Sequence, residues 1–264
     1  MIEASCIWCL GPAENGHDEH IFPEAIGCPP GFVLPGSVVC RKCNNALGHL
    51  DKAVSDEFDF LAFLSAVPRK KGRPPIINSR GNVLGSIEAT VPTLTFNMEK
   101  HPIAAHDGST LAPFRGTRRN IRAQLSREGN VGKISFDVTF GDNPKFIRGL
   151  TKIAYSSLAY FLGSDAARQP SFAAVRQFVI GGHGSRHVLL SQAGDKEYRL
   201  SARAPYAHDS GGYVAGFRIA QIDFLVDLTE EESLLPIVEA KMREEYGDAG
   251  WSVLPLRGAG EAPT

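Results

Sequence analysis

The chain has 264 residues, 43 % of them hydrophobic and 22 % charged, with a formal net charge of −1. This is the composition of a globular, soluble protein with material for a core and for more than one structural unit. No apolar run approaches the length of a membrane span, which excludes an embedded protein and predicts no membrane partner.

Taken from the N-terminus, the first signal is a pair of CxxC motifs, Cys6-Ile7-Trp8-Cys9 and Cys40-Arg41-Lys42-Cys43. Two intervening residues let both sulfurs of a pair reach one ion, and zinc favours four thiolates in a closed tetrahedral site. Disulfides are the competing use of these cysteines. The opening Met1-Ile2-Glu3-Ala4-Ser5 has neither the basic nor the apolar part of a signal peptide, so a reducing cytoplasm is expected and disulfides are disfavoured. A thioredoxin-like role needs one CxxC within a βαβ pattern, which is absent. Cys28, in Gly27-Cys28-Pro29-Pro30, has no paired partner and reads as a small buried residue.

Between the pairs runs Asp18-Glu19-His20-Ile21-Phe22-Pro23, and Asn44 follows the last cysteine. An acid beside a histidine, with an amide further on, suits a second and harder ion. A neutral imidazole can take a proton from water near physiological pH, which makes His20 the candidate general base for hydrolysis of a phosphodiester. Such a reaction also requires a cation to stabilise charge on the phosphate. On a strand Glu19 and His20 point to opposite sides, so both reach one phosphate only through a bulge or bend. The carboxamide oxygen of Asn44 suits magnesium or manganese better than a soft metal. Asn44, Gly48 and Asp51 share one face of a helix starting near Cys43, so Asp51 either completes a cation site, steadies Asn44 or is a solvated helix acid. His49 falls on a neighbouring face and reads as exposed.

The order of these parts, Cys-x2-Cys, then Asp18-Glu19-His20-Ile21-Phe22-Pro23-Glu24-Ala25-Ile26-Gly27, then Val39 through Asp51, resembles the zinc-stapled branch of the HNH endonucleases over about residues 5 to 55. The resemblance implies a ββα-metal module, a hairpin carrying the catalytic histidine followed by a helix, and metal-dependent cleavage of phosphodiester bonds, usually in DNA. It implies His20 as the base and Glu19 and Asn44 as ligands of the catalytic cation. The family's usual aspartate is here a glutamate preceded by Asp18, and either carboxylate can serve; Glu19 is preferred. The chain departs from the family at the middle asparagine, since Val33 to Cys40 contains none, and Ser37 is the substitute donor.

The net charge conceals a partition. Residues 1–68 carry a balance of −6, residues 69–152 carry +9 and residues 153–264 carry −4. The basic stretch directly follows the metal-binding motifs, where a phosphate backbone would need it. Within it, Arg69, Lys70, Lys71 and Arg73 precede Pro74-Pro75 in an extended run that resembles an AT-hook core and also suits a solvated linker. Arg118 and Arg119, with Arg115 and Arg122, form a second cluster in a loop-like stretch.

Further on, Val83–Phe96 and Val131–Phe140 read as strands. Pro144 to Gly163 reads as a helix with an apolar stripe from Phe146 to Phe161, Gly163 as its cap and Lys145, Arg148 and Lys152 off the stripe. Segments around Val188–Leu190, Tyr198–Leu200 and Tyr213–Val226 read as a meander, and Thr229 as the N-cap of a helix to about Tyr246. His183 and His187 read as loop residues. The expectation is an α+β chain: an HNH module at 1–68, a basic linker at 69–82, a mixed α/β substrate-positioning domain at 83–257 and a frayed tail at 258–264. Its expected activity is DNA cleavage with structural zinc and catalytic magnesium or manganese. The alternative is a zinc-knuckle module that binds nucleic acid without cutting it.

Overall fold

In the computed structural model, residues 5–13, 16–68, 141, 143–195, 197–209, 211–247 and 250–255 are described, together with the backbone of strands between 77 and 138. The chain is mixed α/β, with a four-cysteine cluster near the N-terminus. It divides into two compact units, Met1–Phe58 with Asn143–Thr264, and Asp59–Asp142. This differs from the sequential division expected at residues 68 and 83. The motif-bearing segment shares its core with the C-terminal third, and residues 59–142 are inserted between them.

The first unit begins with strand β1 (Glu19–His20), a 3-10 turn at Glu24–Ile26, strand β2 (Val33–Leu34) and helix α1 (Arg41–Leu64), which continues past Phe58 into the second unit. β1 and β2 are antiparallel, with Glu19 opposite Leu34 and His20 opposite Val33. Glu19 and Leu34 are buried while His20 and Val33 are half-buried, the alternation a two-residue period demands. Two glycines let the chain cross itself here. A Cβ on Gly16 would lie 1.8 Å from the Gly36 carbonyl oxygen, and one on Gly36 would lie 2.4 Å from that of Gly16.

The second unit holds two small sheets. β3 (Ile77–Arg80), β4 (Val83–Glu88) and β5 (Val91–Phe96) are antiparallel neighbours in that order. β6 (Ala104–Ala105) pairs in parallel with β7 (Ile121–Glu128), which pairs antiparallel with β8 (Val131–Val138). The strands expected at 83–96 and 131–140 are thus present, the first as two strands. Ile77–Arg80 lies within the expected linker and Arg122 within the expected loop, yet both are strand. Arg69, Lys70, Lys71, Arg73, Arg118 and Arg119, like the tail from Gly258, lie outside the described residues.

The chain re-enters the first unit at helix α2 (Pro144–Leu162). Its start is set by Asn143, whose side chain accepts from the Lys145 amide at 3.0 Å, and by Pro144 in the first turn; Gly163 ends it. The expected stripe is only part of its buried surface, because Gly149, Thr151, Lys152, Tyr155, Ser156 and Ser157 are buried as well. α2 is therefore a central helix. Short helices α3 (Ser164–Ala167) and α4 (Ala173–Gly181) follow. The sheet then forms from β9 (Val188–Gln192), β10 (Arg199–Ala202), β11 (Tyr206–Ala207), β12 (Tyr213–Ala220), β13 (Ile222–Asp227) and β14 (Trp251–Leu254). Its order is β10-β12-β13-β9-β14, with β11 on β12. Only β12 and β13 form a sequential hairpin in that order; β9 sits between β13 and β14, so this is not a simple meander.

Phe224 and Phe217 stack at 5.4 Å on one sheet face and meet Phe58 of α1 and Phe22 of the N-terminal segment. Against the other face, Leu235 and Met242 of helix α5 (Leu235–Tyr246) pack with Leu189 and Leu225. That helix starts five residues later than expected, with Leu234 rather than Thr229 at the N-cap. Asp227 takes the amides of Thr229 and Leu234 at 2.8 and 2.7 Å, and Ser233 donates to the Thr229 hydroxyl at 2.9 Å, so the stretch is a turn. Pro236 could not sit inside a helix begun at Thr229, but it is tolerated in the first turn of the one observed.

α1 and α2 approach closely at Gly149, where an added Cβ would lie 2.5 Å from Val54 Cγ2 and 3.0 Å from the Leu50 carbonyl. Gly149→Ala is expected to destabilise the unit by about 1–3 kcal/mol, the usual cost of overpacking a filled core. A thermal midpoint equal to wild type would rule out so tight a crossing.

Candidate metal centre and active site

The four expected zinc ligands come together. The Sγ atoms of Cys6, Cys9, Cys40 and Cys43 all lie within 4.8 Å of one another, and Cys9 and Cys40 are 3.8 Å apart. Zinc–sulfur bonds of 2.3 Å at tetrahedral angles separate sulfurs by about 3.8 Å. All are free thiols; Cys9 is exposed and the other three are buried. Backbone amides point at the sulfurs in both loops, Trp8 to Cys6 and Cys43 to Cys40, each at 3.4 Å. Donors of this kind stabilise thiolate and fix its direction. Hydrogen bonding from Cys43 first, against burial, brings the Cys6 thiol down to about 4, whereas hydrogen bonding to Cys6 and burial push Cys43 up. The cluster fits a structural zinc ion.

The C-terminal part of the unit holds the first loop in place. The Trp8 and Tyr155 rings lie 4.8 Å apart. The Tyr155 hydroxyl sits between the carbonyls of Ile7, at 3.1 Å, and Ala167, and accepts from Arg176 at 3.2 Å. Arg168 Nε donates to the Ser5 carbonyl at 2.9 Å. Nothing local in the sequence signals these contacts, which join residues about 150 positions apart.

The remaining candidates cluster around β1 and the first turns of α1. His20 is half-buried, with Nε2 3.4 Å from the Glu24 carboxylate and Nδ1 without a hydrogen-bond partner among the described residues. Asn44 donates from Nδ2 to the carbonyls of His17 and Asp18 at 3.3 and 3.4 Å, so the helix start is tied to the residues leading into His20. Asp18 is exposed. His49 is exposed, with Nδ1 2.8 Å from the Ala46 carbonyl oxygen. Cys28 is half-buried, its thiol directed to the Phe32 carbonyl at 3.5 Å.

Glu19 and Asp51 converge, but on a third residue. Lys152, expected off the buried stripe of α2, has no exposed surface. Its ammonium lies 2.7 and 2.8 Å from the two Asp51 oxygens and pairs with Glu19, itself 3 % exposed. Burial acts to lower the lysine pKa, but the charges of Asp51 and Glu19 and their hydrogen bonds outweigh it and hold the ammonium above its ordinary value. Asp51 is therefore not a solvated helix acid. A divalent ion bonded to both carboxylates at about 2.0–2.1 Å would need the space the ammonium holds, so the pair as arranged does not fit one. Lys152 had one sequence signal: after it no charged residue occurs before Asp165, too bare a polar face for a solvated helix.

Away from these motifs, His187, expected as a loop histidine, pairs through Nδ1 with Glu232 at 2.9 Å. A cavity of about 880 Å³ lies between the sheet and α5, lined among others by Arg203, Tyr206, Arg218 and Lys241. Among the described residues no helix is long and apolar enough to cross a membrane. Comparison with family models, with curated proteins and with solved structures finds no match to the chain.

Proposed function

We propose that the chain is an endonuclease that hydrolyses phosphodiester bonds in DNA, with His20 activating water on a module stapled by zinc. The observation that supports this most is the placement of His20. It lies on the outward side of a two-residue strand whose other side is buried, beside a helix that starts at the second cysteine pair and is bonded by Asn44 to residues 17 and 18. A half-exposed imidazole held from below can meet a water and a phosphate, and the Glu24 carboxylate orients its ring. Among the described residues, Asp18, Glu24 and Asn44 carry side-chain oxygens in this region that do not contact Lys152. The positive balance of residues 69–152 supplies the charge for phosphate contact.

A second reading is a zinc-knuckle protein that binds nucleic acid without cutting it. Lys152 favours it, since its ammonium already engages the carboxylates that a catalytic cation would use. Supercoiled plasmid incubated with zinc-loaded protein, over a titration of magnesium or manganese, separates the two. Nicking that depends on the added ion is expected for the nuclease. Salt-dependent DNA binding with intact plasmid would sink the nuclease and leave the binder, and neither binding nor nicking would sink both.

A further inference from the structure

We propose that the cleft between α5 and strands β10 to β12 binds a nucleotide, its base against the exposed ring of Tyr206 and its phosphate held by Arg203 and Lys241. The cleft exists because α5 covers only part of one sheet face. Leu235 and Met242 pack on Leu189 of β9 and Leu225 of β13. Beside them, Ser201 of β10 with Gly216 and Arg218 of β12 line a cavity of about 880 Å³. Gly216 leaves that floor without a side chain, and the volume lies within the roughly 300–1,000 Å³ of small-molecule sites. The facing wall is one side of α5, where Ile237, Lys241 and Glu245 recur every four residues.

The lining suits an anion that carries a flat ring. Most of its charges are already engaged. Arg218 donates to Asp195 and to Asp223, each at 2.7 Å, and Arg199 pairs with Glu197. The Tyr246 hydroxyl is hydrogen-bonded to Glu245, which raises its pKa. Arg203 and Lys241 are exposed, and among the described residues neither is paired with a carboxylate. A guanidinium and an ammonium left over at one cleft fit a phosphate, the first as a fork and the second as a point charge. The ring requirement comes from Tyr206, which is 57 % exposed although aromatic surface is ordinarily buried. Lys241 Nζ lies over this ring, 5.7 Å from its centroid, and His208 meets it at 6.4 Å in an edge arrangement. Cation and ring are thus close enough for one molecule to touch both. Every base has a π-face, so the contact chooses no sequence. The nucleotide is either free or an unpaired unit of a single strand. No residue of the nuclease reading takes part, so either proposal can fail alone.

The test uses the full, zinc-loaded chain without added divalent ion. Its probes are adenosine monophosphate and inorganic phosphate, each followed by NMR titration, and a short fluorescein-labelled thymidine oligonucleotide followed by anisotropy. Wild type is expected to bind the nucleotide more tightly than phosphate. Tyr206→Ala should weaken the nucleotide by roughly 5- to 150-fold, the range for one stacked base, and leave phosphate unchanged. Arg203→Ala with Lys241→Ala should weaken both. All three side chains are exposed, so zinc content and circular dichroism should match wild type. An oligonucleotide that loses the same factor in Tyr206→Ala makes the strand the source, and one that does not makes it the free nucleotide; both support the proposal. Nucleotide bound no better than phosphate would overturn it, as would nucleotide affinity unchanged in Tyr206→Ala. Displacement of the nucleotide by polyglutamate, bound equally by Tyr206→Ala, would also overturn it and mark a surface for acidic peptides.

Discussion

Stripping zinc from the four-cysteine cluster is expected to lower the thermal midpoint by about 10–20 °C. Structural zinc in small modules binds with roughly 10–16 kcal/mol of apparent free energy, much of which is folding free energy. Among the described residues between Cys6 and Cys40, the regular structure is a two-strand ladder and one short 3-10 turn, so they have little order of their own to fall back on. They do share a core with the rest of the unit through Trp8 on Tyr155, Phe22 near Phe217 and the Tyr198 hydroxyl on the Ile26 carbonyl at 2.9 Å. If those contacts retain all but a third of the metal's contribution, about 5 kcal/mol is lost, which at 2–4 °C per kcal/mol gives the stated fall. Trp8 is 1 % exposed, so its emission should shift to the red on chelation in a Trp251→Phe background. Cys40→Ser or Cys43→Ser should reproduce the effect. Acid should do the same, because thiolate ligands must shed protons to bind: zinc is held at neutral pH and is expected to leave as pH falls below roughly 5. One zinc per chain by elemental analysis is the companion measurement. A chain without zinc, or one whose midpoint ignores chelation, would falsify the structural-zinc assignment.

What was legible in the sequence was local. The CxxC spacing needs only two residues between ligands, and both pairs reach one point. The helix from Arg41 and the helix from Pro144 to Leu162 carry their own periodicity or caps, whereas the hairpin was expected only from the family resemblance. What was illegible depends on partners far along the chain. Lys152 looked like a surface lysine because Asp51, 101 positions away, and Glu19, further still, are invisible to a helical window. The division into units was missed for a related reason. Nothing in residues 1–58 announces that their aromatic side chains, Phe22 and Phe58, find their core in strands beyond residue 210. The late start of α5 was the exception, since Pro236 was in plain view and argued against a helix through it.

These misreadings change what the candidate site can do. Glu19 and His20 alternate across the strand as expected, with no bulge to bring them together, so one faces Lys152 and the core while the other faces outward. The proposed base and the expected cation ligand thus belong to different environments, and this separation makes the two residues independently testable.

Truncating the histidine is the sharper of those tests. His20→Ala is expected to lower DNA cleavage by about 10²–10⁴-fold, the usual contribution of a positioned general base. Stability should hardly change. The ring is half-buried, its Glu24 contact is a partly exposed pair at 3.4 Å, and exposed pairs of this kind contribute about 0–1 kcal/mol. Zinc content, thermal midpoint and the salt dependence of DNA affinity should therefore match wild type, which separates loss of chemistry from loss of fold. Glu24→Gln keeps the shape of the ring's neighbour without its charge and should fall between wild type and His20→Ala. Glu19→Ala has the opposite profile: it strips Lys152 of one partner and should cost several kcal/mol of stability whatever it does to cleavage. Cleavage by His20→Ala at the wild-type rate, in protein purified free of contaminating nuclease, would remove His20 from the reaction and with it the nuclease reading of this module.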